Sequence, residues 1–354
     1  PEGVYDDPKG GALREKLYPR LRYHFQFANE RKLFSEVHHH TQFSLNVYGG
    51  PLMVSFDTIS NLYDAKSIVE CYEGDQSKPV PEIKDINGNW NTLGHPDRVI
   101  HVTKRELQAF AKIFDNSDHW KGASLPTVHA IELMDVLNRF AEQRHTVSEL
   151  GKSVYTTGMW HETNAQQDGT IESHVSFPDN NQVIYSGAHI GLANPLYQTT
   201  RSNYRVNSDY DIVDLTSISR KYMLREKYRP ACSISEYNQR VPKTPWGTAV
   251  TQEYRLLNRE MVGCSSERTL CVAIGFPGIS HVNTVFGVSY QEQSTMVKMA
   301  GYESGLPFDF LVRTIGKAHV NYATTMLLPV VTSIYDKDIV LRVLRLNCLT
   351  ERYE

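Results

Sequence analysis

The chain has 354 residues, with 37 Lys plus Arg against 40 Asp plus Glu, 40% hydrophobic residues and 5 cysteines. A net charge of −3 excludes a polybasic nucleic-acid wrapper, and the apolar content is too high for a disordered chain. At roughly 100–200 residues per domain, this length predicts two domains, each able to bury a core without staples. The cysteines at 71, 232, 264, 271 and 348 form an odd set without a C-x-x-C, so neither a disulfide framework nor a zinc ribbon is expected, and a reducing cytoplasm fits. No run approaches the ~18 uncharged apolar residues of a membrane span, and the first thirty residues hold no signal-peptide core. The start at Pro1 and the end within the charged run LTERYE raise the expectation of a piece of a longer protein.

Taken in chain order, Leu13, Leu17 and Leu21 recur at four-residue spacing and predict an amphipathic helix. QFSLNVY (42–48) alternates Phe43, Leu45 and Val47 with Ser44 and Asn46, the period of a half-buried strand, and GGPLMVSF turns into a second one. From Glu73 to Pro96 the composition is that of an exposed loop. Thr103 with Glu106 forms a capping box for a helix carrying Leu107, Phe110 and Phe114 on one face. A further helix is predicted from Pro126 to Gln143, its stripe being Ile131, Met134, Leu137 and Ala141.

Polar loops and short strands follow, with a soft boundary at 165–185. The expected division is a helical, α+β subdomain at 1–175 and an α+β subdomain at 176–354. In the second half, LCVAIGF (270–276) and VNTVFGV (282–288) read as strands joined by PGISH, and a helix is predicted over 304–315 with Ser304 as cap and Gly316 as terminator. Without a βαβ rhythm, the fold class is α+β: mixed short sheets with amphipathic helices.

Signatures for binding nucleotide phosphates or dinucleotides are absent, as are G-x-S-x-G and H-E-x-x-H. His38, His39 and His40 have the residue type and spacing of a metal site, but no Cys or carboxylate nearby completes a known pattern, so a solvated junction is the plainer reading. Cys264 and Cys271 read as core thiols. Asp75 with Glu82 and Lys84 loosely matches the carboxylate–lysine pattern of Mg-dependent nucleases, although that chemistry needs a rigid strand and these residues lie in the loop. Asn194-Pro195-Leu196-Tyr197 resembles the N-P-P-Y box of amino-methylating enzymes, with Leu in place of the second Pro and no glycine-rich turn before it.

The charge is unevenly distributed. Residues 197–259 contain 11 Lys or Arg against 6 Asp or Glu, together with seven Tyr and Trp246. That segment is +5 and the remainder −8. Cations neutralise phosphates and Tyr or Arg stack on bases, so the mixture suits nucleic-acid contact; a salt-bridged surface over a Tyr-containing core is the alternative.

The segments LYPRLRYHFQFANERKLFSEV (17–37), SLPTVHAIELMDVL (124–137), VIYSGAHIGLANPLYQTT (183–200), SEYNQRVPKTPW (235–246), ERTLCVAIGFPGISHVN (267–283), GLPFDFLVRTIGK (305–317) and LRLNCLT (344–350) occur in this order. Together they resemble the C-terminal target-recognition region of large adenine-specific DNA methyltransferases, the single-chain type IIG restriction–modification enzymes and the related DISARM and BREX phage-defence methylases. The resemblance implies a DNA-reading portion whose S-adenosylmethionine pocket and N-P-P-[YFW] box lie upstream in the same polypeptide. It also implies that the N-P-L-Y turn belongs to the recognition region. Its expected partners are double-stranded DNA, the upstream catalytic domain and other defence-system proteins.

On this reading Lys221, Arg225, Lys227 and Arg229 are candidates for phosphates, and Arg201, Gln239, Arg240 and Lys243 for base edges. A protein-interaction scaffold within a defence complex is the alternative, and a nuclease using Asp75, Glu82 and Lys84 a third.

Overall fold

The computed structural model describes residues 3–39, 41–143, 145–178, 182–263, 266–316 and 319–354. The fold is α+β, with short mixed sheets and helices that do not alternate regularly. The chain divides into two compact units, residues 1–144 with 314–316, and residues 145–313 with 317–354. The division lies upstream of the expected 165–185. Residues 145–175 belong to the second unit because their backbone pairs with distant elements of it. Val147 donates to the Leu328 carbonyl at 2.9 Å, and a strand at 154–157 is laddered to one at 285–290.

The first unit is built on a sheet of four strands, β1 (Leu21–Ala28), β2 (Gln42–Tyr48), β3 (Ser55–Leu62) and β4 (Ile100–Thr103), in the order β2-β1-β3-β4. β1 is antiparallel to β2 and parallel to β3. Phe25, Phe27, Ile59, Leu62 and Cys71 form its core. Each such apolar side chain contributes about 1.5–3 kcal/mol by burial. Two expectations are corrected here. The leucine spacing at 13, 17 and 21 does not mark one buried helical face: the helix is Gly11–Leu17, Leu13 is exposed, and Leu21 is buried because it opens β1.

The helix instead buries Arg14, whose guanidinium donates to the carbonyls of Gly122, Val4 and Asp7. The alternation in β2 is real: Phe43, Leu45 and Val47 lie opposite Phe27, Phe25 and Tyr23 on one face, but of the three only Phe43 packs against the core. Leu45 and Val47 are exposed, and Asn46 accepts a hydrogen bond from buried Tyr5.

Thr103 caps the helix Lys104–Phe114 through the expected box with Glu106, and Leu107 and Phe110 are buried. The next helix is shorter than predicted, Glu132–Ala141, and leaves Ile131 exposed, so Met134 and Leu137 carry its buried stripe.

Among the described residues, the second unit holds ten strands: β5 (Val154–Thr157), β6 (Ile171–Ser176), β7 (Val183–Tyr185), β8 (Gln198–Thr200), β9 (Tyr210–Ile212), β10 (Glu226–Pro230), β11 (Arg255–Arg259), β12 (Val272–Gly275), β13 (Ile279–His281) and β14 (Val285–Tyr290). The largest sheet has the order β12-β11-β14-β5, and three two-stranded sheets pair β10 with β6, β13 with β7 and β8 with β9. β11 separates β12 from β14, so PGISH is not a hairpin; it contributes β13, which runs parallel to β7. Leu256 and Leu257 on β11 are fully buried, as is Arg255, which donates to the Ile279 carbonyl at 2.6 Å and whose pKa burial lowers to about 10. Ser304 ends the helix Gln293–Glu303 by donating to the Ala300 carbonyl and does not cap the following one, Leu306–Ile315, which Gly316 terminates with φ +71°. Among the described residues, no helix is long and apolar enough to cross a membrane.

Candidate nucleic-acid interface

The basic, tyrosine-rich segment begins as a hairpin. β8 and β9 pair Gln198 with Ile212, Thr199 with Asp211 and Thr200 with Tyr210. At its tip the Asp209 carboxylate accepts from the amides of Arg205 and Val206, at 2.7 and 2.9 Å, which fixes the loop and holds that carboxyl below its ordinary pKa. Tyr204 donates to Asn207 and meets Tyr210 edge to face. After an irregular stretch the chain enters β10, where burial alternates: Glu226 and Tyr228 point inward, while Lys227 and Arg229 face outward. Burial pushes the Glu226 carboxyl well above its ordinary range.

Most of the eight candidate side chains are already engaged. Arg201 pairs with Asp211 at 2.8 Å, and Arg229 pairs with Glu172, its cross-strand neighbour, at 2.6 Å. Arg225 donates to the Thr200 carbonyl at 2.8 Å and lies over the exposed ring of Phe177. Arg240 closes the helix Ile234–Arg240 onto Glu236, Asp168 and Thr170. Lys227 sits between the rings of Tyr204 and Tyr228, 5.1 and 4.9 Å from their centroids, and 3.2 Å from Glu162. Burial opposes its charge, but the two phenols and Glu162 outweigh that and hold the ammonium above its ordinary range. Gln239, Lys221 and Lys243 are exposed, and of the described residues no carboxylate pairs with either lysine.

The +5 of composition is therefore not a bare positive face. Glu162, Asp168, Glu172 and Glu354, all outside the segment, pair with Lys227, Arg240, Arg229 and Arg220 respectively. The exposed pairs among these, such as Arg229–Glu172 and Arg220–Glu354, contribute ~0–1 kcal/mol each. Within 197–259, the exposed cations for which no ion pair is found among the described residues are Arg205, Lys221, Lys243 and Arg259. Two of these, Arg205 and Arg259, were not singled out by sequence.

Below the hairpin lies a pocket of about 290 Å³, lined by Glu162, Asn207, Tyr210, Lys227, Tyr228 and Arg259 among others. The Tyr228 hydroxyl donates to Glu162, and burial followed by that carboxylate raises the phenol's pKa. Ser186, also on the wall, belongs to a local cap: His189 Nδ1 accepts from its amide at 3.0 Å, and the His189 Nε2–H faces the Arg225 carbonyl and Thr200 at 3.3 Å. Burial lowers the His189 pKa to about 4, so the ring is neutral and structural. The wall comes from segments more than a hundred residues apart, which is why no motif announced it.

The other sequence candidates are placed as follows. Asn194–Tyr197 is a turn: the Asn194 carbonyl oxygen of the side chain accepts from Leu196 N, Leu196 is buried, and Tyr197 packs so closely on Gly191 that a Cβ there would come within 2.8 Å of its ring. The Asp75 carboxylate is turned onto Ser77, and Lys84 lies over Trp90 at 4.6 Å. His38 and His39 stack, with His39 bonded to Glu30; His40 and Cys264 lie outside the described residues, and Cys271 is a half-buried thiol. No group of three or more His, Cys, Asp or Glu among the described residues is arranged to hold a metal.

In the two parallel pairs among the described strands, β1 with β3 and β7 with β13, β1 and β7 lead into three-residue 3-10 turns at Asn29–Arg31 and Gly187–His189, and β3 leads through Tyr63, Asp64 and Ala65, without glycine, into the eight-residue helix Lys66–Glu73. These residues do not fit an S-adenosylmethionine pocket of the usual kind. Compared with known protein-family models and with curated proteins, the chain matches none.

Proposed function

We propose that the chain is the target-recognition portion of an adenine-specific, S-adenosylmethionine-dependent DNA methyltransferase of a restriction–modification or phage-defence system. It contacts duplex DNA through the second unit and leaves donor binding and methyl transfer to a catalytic domain elsewhere in the parent protein. The observation that carries this reading is the segment 197–259 and its surroundings: exposed cations without ion pairs among the described residues (Arg205, Lys221, Lys243, Arg259) interleaved with tyrosines, on a hairpin, later turns and the end of β11. Such cations set affinity and register on phosphates, and the aromatic and amide groups between them address bases.

The test is a duplex-binding titration over a range of salt with the wild-type chain and with Arg205→Glu, Lys221→Glu and Lys243→Glu combined. Binding should weaken by at least roughly tenfold, and the slope of log affinity against log salt should fall by about 3. Unchanged affinity and slope would overturn the reading.

A second reading, an interaction scaffold within a defence complex, is favoured by one feature of the first unit. The face of its sheet that carries Phe25 and Phe27 is incompletely covered and leaves Tyr23, Leu45 and Val47 exposed. Co-purification with a partner, without duplex binding, would select it.

A further inference from the structure

The sheet of the first unit carries three polar side chains brought together by strand pairing. Ser55 and Asp57 are two residues apart on β3 and so share a face, and His101 stands opposite Asp57 on β4. The same row continues across the sheet, Asp57 pairing with Tyr23 on β1 and Tyr23 with Val47 on β2. No G-x-S-x-G surrounds Ser55, which lies between Val54 and Phe56.

The three are hydrogen-bonded in series. The ionised Asp57 carboxylate only accepts, so His101 Nδ1 carries the proton and donates to Asp57 Oδ1 at 2.9 Å. In the neutral ring Nε2 is then the acceptor, and it meets Ser55 Oγ at 3.2 Å. The other Asp57 oxygen accepts from the Tyr72 hydroxyl at 3.1 Å, which anchors the carboxylate to the helix Lys66–Glu73. Burial, then Asp57, holds the Tyr72 phenol above its ordinary range, so it keeps its proton in that bond. The connectivity is that of a nucleophile, a general base and an orienting carboxylate. Ser55 and His101 are both exposed, so a substrate reaches the hydroxyl and the ring together.

We propose that Ser55, His101 and Asp57 hydrolyse aryl esters through an acyl-serine intermediate, an activity independent of DNA contact. Ser55 Oγ bonds to the ester carbonyl carbon while His101 Nε2 takes the hydroxyl proton. The bond to the phenol oxygen then breaks, and the phenol leaves with that proton. Water adds to the acyl-serine, giving its proton to His101, which returns it to Ser55 Oγ as the carboxylic acid departs. Solvent carries the oxyanion at so open a site, which restricts the class to esters with good leaving groups and excludes amides. The exposed rings and methyls of Tyr23 and Val47, in the same row, offer the aryl group an apolar surface.

The experiment uses the full chain with p-nitrophenyl acetate and, separately, a fluorophosphonate probe that couples to activated serines. Wild type should release p-nitrophenol about a hundredfold faster than Ser55→Ala, and peptide mapping should place the probe on Ser55. Ser55 is exposed, so loss of its hydroxyl keeps the fold. His101→Gln should lose both turnover and labelling. Asp57→Asn, which favours the wrong ring tautomer, should lower turnover at least roughly tenfold. If Ser55→Ala keeps the wild-type turnover, a histidine alone does the chemistry and the assignment falls. It falls equally if the probe leaves Ser55 unlabelled, the three residues then being a surface hydrogen-bond ladder.

Discussion

The loop at 73–96 and the segment at 197–230 are both polar in sequence and largely irregular, yet they are fastened by different forces. The first is held by hydrogen bonds from buried groups. His95 donates to the Lys78 carbonyl, His129 donates to the Pro81 carbonyl at 2.7 Å, Arg98 bonds the Leu93 carbonyl, and Trp90 stacks on Tyr63. The second also has one buried histidine, His189, at the Arg225 carbonyl, but four of its seven cations, Arg201, Arg220, Lys227 and Arg229, are tied by ion pairs. A segment fastened by exposed ion pairs can exchange its carboxylates for phosphates at little cost, whereas one fastened by buried hydrogen bonds cannot rearrange without leaving donors unsatisfied. On the proposed function, that difference assigns DNA contact to 197–230 and leaves 73–96 as a structural strap.

The strongest way to break this comparison is Arg98→Met. Arg98 is buried and donates to Leu93, Ser60 and Asn61, so its removal orphans three carbonyls and should cost about 3 kcal/mol, read from the denaturant midpoint. A loss below ~1 kcal/mol would mean that the strap is held by something else.

Acid should loosen both regions. Burial, then the nearby Arg98 charge, lowers the His129 pKa to about 4, and burial does the same for His189. An unfolded histidine binds its proton near pH 6.5, so the stability these neutral rings contribute is complete above that value and is lost as pH falls from about 6.5 towards 4. Thermal melts over that range should show a steep decline, and His129→Phe should flatten part of it.

Salt should separate the regions. Raising it from about 0.1 to 1 M shortens the screening length from about 10 to 3 Å, so amide exchange should quicken in 197–230 and stay unchanged in 73–96. Equal responses would remove the distinction. The smallest effect is expected from Arg229→Ala, which breaks one exposed pair and should change stability by less than about 1 kcal/mol while leaving 73–96 untouched.

Local signals survived where one residue could satisfy another close in sequence. The Thr103–Glu106 box and the Gly316 terminator are legible because a cap needs only a side chain three residues away or a glycine at positive φ. Alternation likewise found β2, and applied to Arg225–Arg229 it separates inward Tyr228 from outward Lys227. Ser304 misled because one hydroxyl serves equally well at the end of one helix or the start of the next, and here it bonds back to Ala300.

The sequence by itself determined the α+β character, the main caps and the concentration of cations and tyrosines in 197–259, since these depend on residue type and short spacing. Tertiary structure alone decided which of those charges remain available. Glu162, Asp168, Glu172 and Glu354 reach their partners from 57 to 134 residues away, a separation carrying no local pattern. It alone also brought Glu162, Asn207 and Tyr210 to one pocket, because strand pairing and core burial, not sequence proximity, set which polar groups become neighbours.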